Sequence, residues 1–275
     1  MLLRLPILLT VTLMFCNQLA AEEPKPAKTP EQQEASAALA AGNQLKKEGK
    51  IAEALAKYKE GLAKQPDSAN LLWNAGIASQ ETHDYDTALD CWKKMRKIEP
   101  DNWRIRAKLI QSYQAKGLAT ERDEERKGLL DFYKKAPNEE MMKQECYCRE
   151  QCEVVKQKVM VLEHFELKGD QAMRYEFVVL DDEGKSKFKI TLGSYDVTNE
   201  IMKESGAVKA GDRGFHLDGY YEGGRIHKTF AMFTSEPAYD DVRKKFVDIM
   251  EGKAAALSGT TFGAAPDKKD DGKSK

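Results

Sequence analysis

The chain has 275 residues, 32% of them charged and 41% hydrophobic, the composition of a soluble globular protein long enough for two small domains. Its 44 Lys and Arg against 45 Asp and Glu leave a net charge of -1. That balance excludes a basic field able to hold nucleic acid or an acidic membrane surface by bulk electrostatics.

Residues 1–21 have the pattern of an export signal: Arg4 supplies a positive start, residues 7–15 an apolar run, and Ala20 and Ala21 small residues at a cleavage point. The apolar run falls short of the ~20 residues that span a bilayer, so no membrane span is expected after cleavage. A lipid anchor at Cys16 is disfavoured by Phe15, where lipobox sequences need a small residue. The expected location is therefore outside the cytoplasm, periplasmic or secreted. The absence of any Asn-x-Ser/Thr sequon fits a bacterial source. Residues 22–34 read as a linker, because the segment EEPKPAKT at 22–29 is charged and proline-rich and cannot bury a core.

The stretch 35–100 repeats itself. Gly42 and Gly76, Ala54 and Ala88, and Pro66 and Pro100 each stand 34 residues apart (76 − 42, 88 − 54, 100 − 66), with Tyr58 and Trp92 filling one aromatic slot in both copies. A ~34-residue period predicts pairs of antiparallel helices, small residues where the helices cross and proline where the second helix stops. Ala38, Ala41, Gly42, Ala54, Tyr58 and Pro66 in the first copy, and Leu72, Ala75, Gly76, Ala88, Trp92 and Pro100 in the second, resemble the signature of tetratricopeptide (TPR) repeats. Leu45 and Ser79 depart from the tyrosine that family favours three residues after the glycine.

A third unit opens at Trp103 behind the cap signal Asp101-Asn102, and its first helix turns at Gly117. Its second helix is expected to be longer or shifted, because Arg122 and Arg126 stand where the earlier units place alanine and an aromatic. The array is thus read as 35–137, in units 35–68, 69–102 and 103–137. The resemblance also implies a concave peptide groove. TPR domains that capture a partner's C-terminal carboxylate place basic and asparagine side chains at positions matched here by Leu39, Asn43, Asn74, Arg104 and Lys108, with Trp73 and Ile77 as an apolar shelf. Such cations and amides meet a desolvated carboxylate with charge-assisted bonds. Leu39 removes the first basic contact.

Residues 138–153 are expected to connect this array to a second domain, and they carry Cys146, Cys148 and Cys152, which with Cys91 are the candidate disulfide cysteines. In a strand Cys148 and Cys152 would lie about 13 Å apart, beyond disulfide reach. The paired C-x2-C spacing of a metal site is missing, so no metal is expected.

From Val154 the hydrophobic period changes to an alternating one, giving that second, mostly antiparallel α+β domain at 154–252 and a polar tail at 253–275. Strands are predicted at 159–167, 172–180, 187–193, 213–221 and 225–234, with helices at 195–204 and 238–250. A three-residue loop in the first hairpin would pair Glu166 with Arg174 and His164 with Glu176 and avoid a Glu163–Glu176 clash. The residues that most resemble a reactive set, His216, Asp218, Tyr220 and His227, share one face of the last hairpin without a nucleophile. No hydrolase, P-loop or dinucleotide motif occurs, and no cofactor or catalytic residue is assigned. The favoured reading is a non-enzymatic, exported adaptor that binds a protein or peptide. A secreted enzyme whose array recruits substrate, and self-association through an exposed end of the array, are the alternatives.

Overall fold

The computed structural model describes residues 28–165, 174–196, 213–221, 224–233 and 236–253. Within them, six helices run as three antiparallel pairs: α1 (Pro30–Lys47) with α2 (Ile51–Lys64), α3 (Ala69–Glu81) with α4 (Tyr85–Ile98), and α5 (Trp103–Lys116) with α6 (Ala119–Lys135). The pairing follows from a size match. A Cβ on Gly42 would lie 2.4 Å from the Tyr58 ring and one on Gly76 2.5 Å from the Trp92 ring, so only glycine lets each aromatic fill the crossing of its pair. Tyr58, Leu71, Leu72, Trp92, Ile105 and Leu109 join these crossings into one continuous apolar core, as stacked repeats require.

The helix ends are fixed locally. The Asp84 carboxylate accepts from Thr87 N at 3.2 Å and Asn102 Oδ1 from Arg104 N at 3.1 Å, each satisfying an otherwise unpaired amide, while Gly117 closes α5 at φ 69°. The array begins earlier than expected: Thr29 and Gln32 form a reciprocal capping box and Pro30 takes the first helical position, so α1 occupies residues expected from the sequence to form a linker. Helix α6 is indeed longer than its counterparts, 17 residues against 14 for α2 and α4.

The segment 138–153 is not a plain connection. It folds into a short helix α7 (Glu139–Gln144), capped by Asn138 Oδ1 on Met141 N at 2.9 Å, and a strand β1 (Cys146–Val154). Then come β2 (Gln157–His164), β3 (Tyr175–Leu180), β4 (Ser186–Asp196), β5 (Arg213–Tyr221), β6 (Gly224–Phe233) and α8 (Tyr239–Met250). The strands form one antiparallel sheet in the order β1-β2-β3-β4-β5-β6, and α8 packs on one face, with Phe177 stacked on Phe246 at 4.3 Å among Val159, Val161, Val179 and Ile190. An N-terminal TPR-type array thus leads into an antiparallel α+β unit.

The sheet corrects two expectations. In the first predicted hairpin Leu162 pairs with Glu176 and Glu163 with Tyr175, two residues from the predicted register. Because side chains alternate with period two, the even offset keeps the predicted buried face. His164 still reaches Glu176, diagonally, at 3.6 Å. Second, Tyr195 and Asp196 belong to β4 rather than to a helix. The last hairpin pairs Gly219 with Lys228 and then slips to Tyr221 with Gly224. The export signal, the loop at Gly169 and Asp170, residues 197–204 of the expected helix and the tail from 254 lie outside the described residues. Among the described residues no helix is long and apolar enough to cross a membrane.

Array and sheet share a core. Phe165 stacks on Tyr133 at 4.4 Å and meets Trp103 edge-on, with Tyr147, Met141, Ile110 and Leu129 around it. A charged cluster lies beside it. The Glu163 carboxylate, with its side chain 2% exposed, accepts from Arg126 Nε at 2.7 Å, Arg149 Nη1 at 2.6 Å and Tyr147 Oη at 2.5 Å. Arg149, 1% exposed, lies over the Tyr239 ring at 3.9 Å. Next to it Glu150 accepts from Tyr239 Oη at 2.5 Å and Arg243 Nη2 at 2.7 Å. A bulge between Cys148 and Glu150 makes this arrangement, because the extra residue lets consecutive Arg149 and Glu150 both enter the interior.

Candidate functional site

A cleft of about 370 Å³ lies between the array, chiefly its third unit, and the sheet. Its floor and one wall are Trp73 of α3 and Trp103, Arg104, Ala107, Lys108 and Gln111 of α5; the opposite wall is Gln144, Cys146, Tyr147, Cys148 and Leu162. Helical spacing explains the first wall, since residues 103, 104, 107, 108 and 111 are successive i, i+3 and i+4 neighbours on one face of α5. The bond from Gln111 Nε2 to the Cys148 carbonyl, at 2.6 Å, ties that face to β1.

Of the six residues expected in a groove, Trp73, Arg104 and Lys108 meet in this cleft. Asn43 lies elsewhere, exposed, with Oδ1 accepting from Tyr58 Oη at 2.9 Å. Asn74 donates to the Asn70 carbonyl of its own helix at 2.8 Å. Ile77 is half-buried against the array core and does not line the cleft. Gln80, on the same helix as Trp73, donates to Ser112 Oγ at 2.9 Å and to the Lys108 carbonyl at 3.2 Å, fixing α5 against α3.

The two cations are placed differently. Arg104 is half-exposed, its side chain 53% accessible, and its Nε donates at 3.1 Å to Oε1 of Glu140 on α7, with Nη2 on the same oxygen. Lys108 is half-buried, and its Nζ donates to Gln111 Oε1 at 3.2 Å. Burial pulls the Lys108 ammonium below the usual lysine range, with no carboxylate within 4 Å among the described residues to restore it.

The described cysteines, Cys91, Cys146, Cys148 and Cys152, are free thiols in this structure. Burial pushes Cys91 and Cys148 to about 11 and Cys152 to about 12, so they are protonated and unreactive at neutral pH. Among the described residues no three His, Cys, Asp or Glu side chains approach closely enough to hold a metal. His216, Asp218, Tyr220 and His227 sit on β5 and β6, and their side chains lie outside the described ones.

What sequence reasoning missed is the second wall. Cys146, Cys148 and Leu162 come from strands whose pairing brings them against α5. The signal that pointed there was the pair of irregular arginines: Arg126 binds Glu163, and Arg122, with Asp123, reaches Asp240 of α8 at 3.2 Å. They stand in the third unit's second helix to hold the sheet.

Residues 42–82 match the family model of the TPR repeat. Among solved structures, the chain is similar to the second TPR of Spaghetti (RPAP3) bound to an HSP90 peptide, at 22% identity and a TM-score of 0.33 over 36% of this chain and 93% of that one. It is also similar to the second TPR domain of human RPAP3 in complex with an HSP70 peptide, at 19% identity and 0.35 over 42% and 93%. A third is the C-terminal TPR-containing domain of a Plasmodium falciparum putative FK506-binding protein, at 23% and 0.35 over 42% and 87%. No curated protein matches the chain. The family match thus falls on α1 to α3, within the first two helical pairs of the array.

Proposed function

We propose that this protein is a non-enzymatic adaptor that binds a partner peptide in the cleft at the end of its repeat array, recognising a carboxylate beside an apolar side chain. The observation that carries this reading is Lys108: a half-buried ammonium among Trp73, Trp103, Ala107 and Leu162, with an amide oxygen as its one hydrogen-bond acceptor among the described residues. An ammonium held out of water gains most from an anion brought to it, and a charge-assisted bond contributes roughly 1.5 to 3 kcal/mol. The indoles supply the flat apolar area that anchors a peptide side chain. Asn43 and Asn74 lie outside the cleft, and their part in the proposal is to line the groove leading to it.

The test is an array of immobilised heptapeptides, one set with free C termini and one amidated, probed with wild type and with Lys108→Ala. Wild type is expected to prefer free ends or acidic side chains, and Lys108→Ala to lose that preference. Equal signals from both sets with wild type and variant alike would refute the reading.

We further propose that the protein acts outside the cytoplasm, in the cell envelope or the medium, on the strength of the charged, apolar and small-residue pattern of residues 1–21. Secreted material from a bacterial host should begin near Ala21 or Glu22 on N-terminal sequencing. An intact Met1 terminus in the soluble cytoplasm would contradict it.

A further inference from the structure

One of the cleft's two cations already holds a carboxylate at the rim, and the chain supplies it. Helix α7 follows the third repeat directly, and its Glu140 places Oε1 on both Nε and Nη2 of Arg104. Gln144, one turn further on, lines the cleft and donates its own amide to the same Oε1 at 3.1 Å. Arg104 is therefore met by an internal carboxylate, whereas Lys108 is met by an amide oxygen. The bond is at the rim, with Arg104 half-exposed and Glu140 about one-third exposed, so solvent and an incoming anion reach it. Nothing about the fold requires that particular pair: Met141, the neighbour of Glu140, anchors α7 in the shared core with no exposed area, and Asn138 caps the helix independently.

We infer that Glu140 is an internal competitor, occupying Arg104 until a partner's carboxylate takes its place. The inference rests on the peptide-binding function proposed for the cleft and adds how that site is regulated. A ligand that carries one carboxylate takes Lys108 alone. A ligand with a second acidic group must displace Glu140, and its affinity is lowered by the stability of the internal pair. An exposed pair of this kind is weak, so its removal raises the affinity for such ligands roughly two- to fivefold. The partner class implied is an acidic peptide end whose two carboxylates are spaced to reach Arg104 and Lys108, one helical turn apart on α5.

The probe is the same heptapeptide array, free-ended and amidated, applied to wild type, Glu140→Gln and Glu139→Gln. Glu139 pairs with Lys143 at 3.5 Å and does not touch Arg104, so it controls for the change in net charge. Glu140→Gln is expected to raise the signal on free-ended peptides carrying a second acidic residue, leave the other peptides unchanged, and keep its melting temperature. Glu139→Gln should bind as wild type does. If wild type prefers free ends and Glu140→Gln gives the same pattern, or if Glu139→Gln gives an equal gain, the competitor role is overturned and the peptide-binding reading stands. If no variant distinguishes free from amidated peptides, the underlying reading falls and this one with it.

Discussion

The first two repeats and the junction between the third repeat and the sheet are held together by opposite means. In the repeats, a glycine opposite an aromatic, Gly42 with Tyr58 and Gly76 with Trp92, closes each helix pair by shape, and the core is mainly apolar, without a buried ion pair among the described residues. At the junction, buried Glu163, Arg149 and Tyr147 and half-buried Arg126 form a hydrogen-bonded ionic cluster beside the aromatic contacts of Phe165. Apolar packing is non-directional, and each repeat uses the same solution. An ionic cluster works with only one partner in one geometry, so it specifies where the sheet docks, at the cost of desolvating its charges.

The largest effect expected from breaking that contrast is Glu163→Ala. Removing the carboxylate leaves Arg126 and Arg149 facing each other in the interior, and a loss of about 3–5 kcal/mol is expected in chemical denaturation. Gly76→Ala should come next. Its Cβ would meet Trp92 carbons at 2.5, 2.7 and 2.8 Å inside a fully buried core, and overpacking of this kind costs about 1–3 kcal/mol. A glycine in the third unit serves as the control: in Gly128→Ala, on α6, the new Cβ meets only the end of the Arg106 side chain, at 2.6 Å, which can move. It should therefore be milder than Gly76→Ala by at least about 1 kcal/mol, helped by the better helix propensity of alanine. Equal losses at the two glycines would show that the repeats are not closed by shape.

Acidity sharpens the comparison further. Burial by itself would raise the Glu163 carboxyl, but Arg126, Arg149 and Tyr147 outweigh it and hold it below the usual carboxylate range; the Arg122 hydrogen bonds hold Asp123 low as well. A carboxyl whose folded value is depressed stabilises the fold fully above its unfolded value, and that contribution is lost as pH falls through the folded one. The junction should therefore loosen first below about pH 4. Amide hydrogen exchange would show β1 and β2 losing protection before α3 and α4, and Glu163→Gln would flatten this pH dependence. The smallest effect is expected at Lys57→Ala, an exposed partner of Glu60, within about 0.5 kcal/mol.

The same contrast explains what could be read from the sequence. The array was legible almost to its helix ends, because its period, its caps and its glycine–aromatic pairs are local and repeat. Strand β1 was not. Its turn to β2 is made by Val155 and Lys156, both at positive φ, where glycine or asparagine would have announced a hairpin. The bulge beside Arg149 then breaks the alternation by which a strand is recognised. For the cleft, Trp73, Arg104 and Lys108 followed from the resemblance to peptide-binding TPR domains, placed by the repeat register. Leu162 and the cysteines could not, since they reach α5 through strand pairing. Arg122 and Arg126 were visible as irregular, but their partners Asp240 and Glu163 lie 118 and 37 residues away.

The central claim is that ligands enter the cleft between α5 and β1, and the chain's three tryptophans offer a direct test. Trp73 and Trp103 line the cleft, whereas Trp92 is fully buried in the array core. Titration of 15N-labelled protein with the free-ended array peptide that gives the highest signal should shift the indole N–H resonances of Trp73 and Trp103 and leave that of Trp92 in place, with the amidated peptide producing smaller shifts. Saturable binding that leaves Trp73 and Trp103 unmoved would place the ligand elsewhere and contradict the account.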